Sequence, residues 1–273
     1  MNFLKNISKS FWLQFVPGMM LGAITIVLLI VGVIPLYYLW ATFVMWTLVC
    51  GLGIAVGYHR IFSHRTYQLP MWKENIILFF AALAGQGASI FWVAMHRGYH
   101  HPHSDTIKDL HSPVAYDKKT AFVGWYLKLT TSNNPINIKY AVDLLKKKNH
   151  VWLHNNYHFV LWGVPLIVAL FDWRLSLTAC CLVTCIGLLQ DNLVNVYGHL
   201  KGSIGYRNFE TTDNSHNNPI LGYLAWGQGW HNNHHYAPGS FDFGSGVSGK
   251  WWEVDPSRIF RPFLGNKNKN AKQ

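Results

Sequence analysis

The segment that decides the fold is Ser10–His59, SFWLQFVPGMMLGAITIVLLIVGVIPLYYLWATFVMWTLVCGLGIAVGYH. It contains fifty residues without a single Lys, Arg, Asp or Glu. One crossing of a bilayer takes about 20 mainly apolar residues, so the segment is long enough for two. Pro35 marks the turn, because proline cannot continue a helix without losing a hydrogen bond. The segment therefore predicts a membrane hairpin with spans over about 12–33 and 36–58.

A second apolar block, Val151–Gln190, is interrupted once by the polar sequence Asp172-Trp173-Arg174. The interruption predicts a third span over about 152–171 and a fourth over about 175–195. One further apolar stretch, 75–93, contains several Gly and polar residues. A crossing there would put His96 on the opposite side of the membrane from His59. We therefore expect a helix that lies on or just under the cytoplasmic membrane surface.

Composition and charge support a membrane protein. Half of the chain is hydrophobic and only 13% is charged, about half the charged share of a soluble domain. The net charge of +11 does not predict nucleic-acid binding, because the basic residues flank the apolar blocks and face lipid headgroups. This bias predicts a multi-pass protein with both termini and the middle segment in the cytoplasm. The residues that set this orientation are Lys5, Lys9, Arg60, Arg65, Lys73 and Lys146–Lys148, against Arg174 alone on the other side.

The remaining composition adds little chemistry. All four cysteines lie in apolar segments and form no CxxC pair, so they predict neither a disulfide framework nor an iron–sulfur site. The Lys/Asn-rich tail 266–273 is predicted to be disordered. The fold class is therefore an all-α integral membrane protein, one domain over 1–265, with four transmembrane helices and a helical cap on the cytoplasmic side.

Histidines supply the functional signal. They form three clusters: His59-Arg-Ile-Phe-Ser-His64, His96-Arg-Gly-Tyr-His100-His101 and His231-Asn-Asn-His234-His235. A fourth pair, Asn195 and His199, lies four residues apart at the cytoplasmic end of span 4. Spacings of three to five on a helix bring side chains to one face or its edge, so each cluster can present its imidazoles to one point.

Such a concentration of imidazoles on one membrane face favours metal binding. Protonated rings would repel one another, and neutral rings would each need a hydrogen-bond donor and an acceptor, whereas a metal takes one lone pair per ring. Nine imidazoles exceed what one ion accepts, so two ions are implied. The clusters contain neither Cys nor a carboxylate, which argues against structural zinc and against the carboxylate-rich di-iron bundles. Iron, copper, nickel and zinc all remain compatible with nitrogen ligands.

The three clusters and their flanks resemble the histidine boxes of the membrane fatty acyl desaturases, in particular the delta-9 (stearoyl) type. His59–Tyr67 is similar to the first box of that family. Ile90–Arg97, followed after the box by His103–Thr106, is similar to the second box and its flanks. Gly227–His235 is similar to the third box. Asn195-Val-Tyr-Gly-His199 is similar to the additional Asn and His pair of that family. The similarity extends from about Gly51 to about Pro256.

The resemblance implies a site that carries two iron ions and inserts a cis double bond with dioxygen. Asn195 would hold a metal-bound water, and Gln86 and Trp92 would shape the bend of a substrate tunnel. Asp105, Asp109 and Asp213 are candidates to orient ligand imidazoles through their second nitrogen. The implied iron ligands are His59, His64, His96, His100, His101, His199, His231, His234 and His235. The histidines left without ligand roles are His103, His111, His150, His154, His158 and His216.

Three positions depart from the delta-9 pattern. The second box reads HxxxHH, one residue longer than the usual HxxHH, which bears on the geometry of His96 relative to His100. Gln228 stands where that family usually has Glu, and Leu110 stands where it has Pro. In animal enzymes an Arg-Asp pair before the second box helps to bind coenzyme A, and here those positions hold Ala94 and Met95.

The implied partners are a long-chain acyl-CoA or acyl-lipid, dioxygen and membrane lipids. The chain has no flavin or dinucleotide fingerprint, so a separate ferredoxin or cytochrome b5 would supply two electrons per turnover. Both kinds of carrier are typically acidic and would be attracted to a basic surface. Two alternatives remain: a hydroxylase of the same chemistry, and a histidine-rich metal transporter. The transporter predicts ionisable residues inside the spans, and spans 1 and 2 contain none before His59.

Overall fold

The computed structural model describes residues 5–125, 137–202 and 204–265, with the backbone alone for residues 5–11. Over these ranges the chain is helical and contains no strand, only two single-residue bridges that join Asn217 to Tyr206 and to Trp230. The predicted all-α class is confirmed for this part of the chain. The predicted disordered tail, 266–273, lies outside the described residues.

Two long helices correspond to the predicted spans 1 and 2. Helix α1 spans Lys5–Ile30, and helix α2 spans Leu39–Trp46 and continues as a π-helix over Thr47–Ser63. Helix α2 thus extends beyond the predicted end of span 2 and carries the first histidine cluster within its last turn. Because the helix continues past residue 58, His59 lies on a rigid element.

A pair of short helices replaces the surface helix that was predicted over 75–93. Helix α3 spans Met71–Ala82 and helix α4 spans Ser89–Met95. Between them Gly85 and Gly87 have φ angles of +75° and +90°, which glycine adopts without the steric cost of a Cβ atom. The prediction of one continuous helix is therefore wrong, because two left-handed glycines turn the chain at Gln86.

The second half of the protein contains two further long helices. Helix α5 spans Lys148–Phe171, and helix α6 spans Leu182–His199 after a π-helical entry over Ser176–Cys181. Two short helices follow, α7 over Pro219–Leu224 and α8 over His231–Tyr236. Shorter helical turns cover Leu36–Tyr38, His96–His100, His101–His103, Thr120–Gly124, Ile138–Ala141, Val142–Leu145, Trp173–Leu175, Ser245–Ser248, Pro256–Phe260 and Arg261–Leu264.

Three helical segments are long and apolar enough to cross a membrane: Trp12–Ile30, Leu36–Ser63 and Trp173–His199. They correspond to the predicted spans 1, 2 and 4. Helix α5, the predicted span 3, is not among them, because its first half contains Lys148 and several His and Asn. Its second half nevertheless presents Leu170 and Phe171 outward, 84% and 87% exposed. A fourth crossing, like the cytoplasmic cap, stays a prediction.

Candidate metal centre

The nine predicted histidines converge in two groups. In each group every residue offers a ring nitrogen, and these atoms all lie within 4.8 Å of one another. The larger group draws on all three clusters, and the smaller one adds His199 from the end of α6. The five-histidine group is His59, His64, His96, His101 and His234. The four-histidine group is His100, His199, His231 and His235.

Distances within the five-histidine group fit a shared metal ion. The Nε2 atom of His101 lies 3.0 Å from the Nε2 atoms of both His96 and His234. Two further Nε2 pairs, His59 with His234 and His64 with His96, are 2.9 Å apart. Nitrogens at right angles around one ion, each bound at about 2.1 Å, are about 3.0 Å apart. The spacing is that of neighbouring ligands.

Hydrogen bonding between the rings explains this arrangement less well. A ring nitrogen carries either a proton or a lone pair, so it donates or accepts but does not do both. The Nε2 atoms of His96, His101 and His234 each face two other Nε2 atoms. Lone pairs directed at one cation satisfy all of these contacts together. The donor set of the group therefore fits a metal ion.

The four-histidine group has a similar but looser geometry. The Nε2 atoms of His199 and His231 are 2.9 Å apart, and those of His100 and His235 are 3.3 Å apart. Adjacent His100 and His101 belong to different groups, so the second cluster serves both. The third cluster is divided in the same way, with His234 in one group and His235 in the other.

A π-helical backbone explains the spacing of the ligands. Its hydrogen bonds join residues five apart, so residues i and i+5 lie above one another. His59 and His64 are five apart at the end of α2, and the amide of His64 donates to the carbonyl of His59. His96 and His101 are also five apart, across the π turn His96–His100. The extra residue of the second cluster is accommodated by this wider turn.

Two arginines that follow the leading histidines fix the clusters in the fold. Arg60 is fully buried, and it donates to Asp255 at 2.8 Å and to the carbonyl of Phe241 at 2.7 Å. Arg97 donates to the carbonyl of Ser63 at 2.8 Å and to Asp143 at 2.8 Å. The carbonyl of Ser63 is one of those left free at the end of a helix. Arg97 thus ties the second cluster to the first, and Arg60 anchors the first cluster to the segment that contains Phe241 and Asp255.

Carboxylates surround the four-histidine group. Asp109 lies 3.0 Å from Nδ1 of His100, and Asp213 lies 2.6 Å from Nδ1 of His235. Asp105 lies 3.3 Å from Nδ1 of His199, within ion-pair range but without the alignment of a hydrogen bond. These are the three aspartates selected from the sequence, and each lies at a different histidine. Burial by itself would raise the pKa of Asp109 and Asp213, but the adjacent imidazoles outweigh it and lower both values.

The five-histidine group has no carboxylate neighbour among the described residues. His59 Nδ1 donates to the side-chain oxygen of Gln228 at 2.9 Å when Nε2 keeps its lone pair. Nδ1 of His234 is buried and has no hydrogen-bond partner in the described part of the chain. Gln228, the departure from the family pattern, is therefore the one polar side chain that orients a ligand of this group in the described ranges.

Burial keeps the ligand rings in the neutral form that binds metals. Desolvation, followed by the charges of neighbouring histidines, lowers the pKa of His64 to about 3. Burial also lowers the pKa of His235, to about 4, although Asp213 opposes the shift. The same causes lower the pKa of His96, His101 and His234. Near neutral pH these rings are deprotonated, so each has a free lone pair.

A small cavity of about 40 Å³ lies beside both groups, large enough for two or three water molecules or a short piece of chain. Both groups contribute to its wall, through His96 and His100. Asn195 also lines it, one helical turn before His199. A tunnel for a whole acyl chain stays a prediction. The full lining is Gln86, Phe91, Trp92, Met95, His96, His100, His111, Trp125, Asp191 and Asn195.

Gln86 and Trp92 form one rigid element of the cavity wall. The indole nitrogen of Trp92 donates to Gln86 Oε1 at 3.1 Å, and Gln86 Nε2 donates to the carbonyl of Gly187 at 2.8 Å. The Trp92 ring stacks on the His96 ring, with centroids 4.9 Å apart. Both residues selected for the tunnel bend therefore lie at the edge of the five-histidine group.

Two polar residues of the cavity wall, Asp191 and His111, were given no role by the sequence reasoning. Asp191 lies four residues before Asn195, and that i, i+4 spacing on α6 is the signal that could have found it. His111 shares Asp109 with His100, at 3.5 Å, and packs edge-on against Trp125. The other histidines without predicted ligand roles, His103, His150, His154, His158 and His216, belong to neither group.

Comparison with known proteins gives consistent results. A family model described as fatty acid desaturase matches residues 38–240. A sn-2 palmitoyl-lipid 9-desaturase of Nostoc sp. (strain 36) is 34% identical over 81% of this chain and 77% of its own. A sn-1 stearoyl-lipid 9-desaturase of Anabaena variabilis is 30% identical over 81% and 80%. An acyl-CoA C20 Delta5-desaturase of Anemone leveillei is 29% identical over 79% and 67%.

Proposed function

The chain belongs to the fatty acid desaturase family and is a fatty acyl desaturase, and from this premise we propose its specific reaction. It inserts a cis double bond, at the delta-9 position, into a long saturated acyl chain of a membrane lipid. The reaction uses dioxygen at a centre of two iron ions. The observation that carries the proposal is the convergence of nine imidazoles in two groups, each of which contributes one histidine to the wall of the same cavity.

The donor set supports iron as the metal. Both groups offer neutral imidazole nitrogens, which suit a redox-active first-row ion, and no thiolate approaches them among the described residues. Two irons held by these histidines would supply a chemistry that can remove hydrogen from an unactivated methylene, the reduction of dioxygen to a strong oxidant. The balanced reaction is –CH2–CH2– plus O2, two electrons and two protons, giving –CH=CH– and two waters.

The protein's part is to position the chain and to keep water away. The hydrogen-bonded pair of Gln86 and Trp92 presents a fixed wall against which a chain bends. Because Trp92 stacks on His96, methylenes at that bend lie next to the ligands. Asn195 lines the same cavity and would hold a water at the four-histidine side. Nine histidines act as ligands and not as acids or bases.

An acyl-lipid substrate is favoured over acyl-CoA. The two positions that would hold an Arg-Asp pair for coenzyme A contain Ala94 and Met95, which are buried. Neither side chain offers a charge to a phosphate. Relatives whose names specify lipid-bound chains match at 30–34% identity. The name of one relative specifies acyl-CoA, so the test compares the two substrates.

The electron supply and the orientation complete the proposal. A separate ferredoxin or cytochrome b5 type carrier delivers the electrons at the cytoplasmic face, where both termini also lie. The net charge of +11 supports attraction of an acidic carrier. Reduction at that face requires the two histidine groups to be on the cytoplasmic side of the membrane.

The test is expression in a host without unsaturated fatty acids, with iron and a working electron donor, followed by gas chromatography of the lipids. We expect a new cis-9 monoene in the lipid-bound fraction. Membranes supplied with labelled acyl-CoA or labelled glycerolipid then distinguish the two substrates. A hydroxylated chain in place of an alkene would show that the protein is a hydroxylase instead. No product from iron-loaded protein with a reduced donor would contradict it.

A further inference from the structure

A groove between helices α3 and α5 lies outside the metal centre. Its volume is about 490 Å³, within the range of sites that hold a ligand of moderate size. The wall is mainly apolar, with Phe79 from α3 and Phe159 and Ile167 from α5. All three side chains are more than 40% exposed, so the groove opens outward rather than towards the cavity.

One end of the groove is polar and basic. Asn149 donates to the side-chain oxygen of Asn75 at 3.0 Å, and the amide nitrogen of Asn75 has no partner among the described residues. Lys147 pairs with Glu74, whereas exposed Lys146 and Lys148 have no ion-pair partner in the described part of the chain. Lys146 and Lys148 therefore give the polar end of the groove an excess of positive charge.

The polar end lies at the level of the metal centre. His150, next to Asn149, packs edge-on against Phe62 of the first histidine cluster, with ring centroids 4.7 Å apart. From Asn149 to Ile167 the groove follows α5 past a kink at Asn156, over at most about 27 Å at about 1.5 Å per residue. One leaflet of hydrocarbon is about 15 Å thick, so the groove has room for a whole acyl chain.

Gly163 keeps the groove open. A Cβ added to this residue would meet nothing within 4 Å, so neither close packing nor an unusual backbone angle requires glycine here. Glycine is an unfavourable residue inside a helix. The consequence of its missing side chain is free space in the wall between Phe159 and Ile167.

We propose that the groove is a binding site for one anionic glycerophospholipid of the membrane. An acyl chain lies along α5 over Gly163, the Asn75 amide donates to an ester carbonyl, and Lys146 and Lys148 hold the phosphate. The inference goes beyond the proposed function, because it requires only that α5 lies in the bilayer. The occupant is a bound lipid and not the chain under oxidation, since the groove is lined by none of the histidines.

The test uses phosphatidylglycerol with a photoreactive group at the end of one chain, at trace level in phosphatidylcholine vesicles that contain the full-length protein. We expect the label on peptides that contain Phe79 and Phe159. Gly163→Leu fills the groove and should reduce this label by at least about tenfold, the loss expected from about two buried methylenes. Leu170→Phe enlarges a side chain on the exposed face of α5 outside the groove and should leave the label unchanged.

The headgroup contact has its own variant. Replacement of both Lys146 and Lys148 by Gln should reduce the preference for phosphatidylglycerol over phosphatidylcholine by up to about fivefold per lysine. Equal labelling of the parent and Gly163→Leu, or labels spread evenly over the exposed face of α1, would overturn the proposal. Desaturation measured in the same vesicles separates the lipid-binding proposal from the proposed function. Lipid labelling without any desaturated product would support the groove and contradict the proposed function.

Discussion

The five-histidine and the four-histidine groups lie side by side but differ in what stands behind their ligands. Three carboxylates, Asp105, Asp109 and Asp213, face the outer nitrogens of the four-histidine group. The five-histidine group has one neutral amide, Gln228, and no carboxylate in the described ranges. The five-histidine group thus has more imidazoles, whereas the four-histidine group has fewer imidazoles and more negative charge around them.

If each group holds one iron, as proposed, this difference predicts two unequal metal positions. A carboxylate that accepts a proton from a ligand imidazole makes that ligand more basic and fixes its tautomer. The four-histidine position therefore compensates for its missing ligand with electrostatics, and it should hold the more highly charged ion more firmly. The five-histidine position depends on the number and geometry of neutral nitrogens. We expect the two positions to respond differently to matched substitutions.

The largest effect should come from the ligands. His234→Ala removes a ring that faces both His59 and His101, and it should abolish product and lower bound iron from two ions per chain towards one. His216→Ala changes a histidine outside both groups and is the matched control. Product analysis and metal analysis of the purified variants check this prediction. Full activity of His234→Ala would exclude it as a ligand.

The next effect concerns the support of the first cluster. Asp255→Asn leaves the buried Arg60 charge without its partner, which should cost about 3–5 kcal/mol of stability. Asp143→Asn breaks a partly exposed pair with Arg65 and Arg97 and should cost about 1 kcal/mol or less. Thermal unfolding in detergent compares the two variants. Equal shifts would show that Arg60 does not hold the five-histidine side in place.

A carboxylate substitution tests the asymmetry itself. Asp213→Asn keeps the shape of the side chain that faces His235 but removes its charge, and it should weaken iron binding at the four-histidine position by about 10–100-fold. Iron titration followed by metal analysis measures the loss. The five-histidine position should keep its ion. Simultaneous loss of both ions would mean that the groups do not act separately.

The smallest effect should come from Gln228. Gln228→Glu gives His59 a charged partner and makes the five-histidine position resemble its neighbour. We expect less than about a tenfold change in iron affinity, because the amide already accepts the same hydrogen bond. A shift in the reduction potential of one iron should accompany it. An unchanged potential would show that the charge behind the ligands is not what distinguishes the two groups.

The sequence predicted the chemistry of this site better than its backbone. Spacing and residue type predicted a multi-histidine site, and the family resemblance named the nine histidines that the structure brings together in two groups. Asp109 and Asp213 were within reach for a similar reason, because they lie near the clusters in the chain. Apolar length likewise predicted the three helical segments that are long and apolar enough to cross a membrane, whereas the predicted span 3 is not among them.

Features that depend on local backbone geometry were not predictable. No sequence pattern identifies a π-helix, so the wider turns that bring His59 over His64 and His96 over His101 could not be predicted before the fold was known. The break at Gly85 and Gly87 was also missed. Glycine lowers the helix propensity of an apolar segment, but the sequence does not show whether the helix ends there. The division of adjacent His234 and His235 between two groups depends on tertiary packing.

The most direct test of the account is ⁵⁷Fe Mössbauer spectroscopy of the purified protein, combined with its iron content. Two groups of histidines with different surroundings predict two irons per chain and two quadrupole doublets of equal area. One iron per chain at saturating iron, or a single doublet from two identical ions, would contradict the account of two unequal positions.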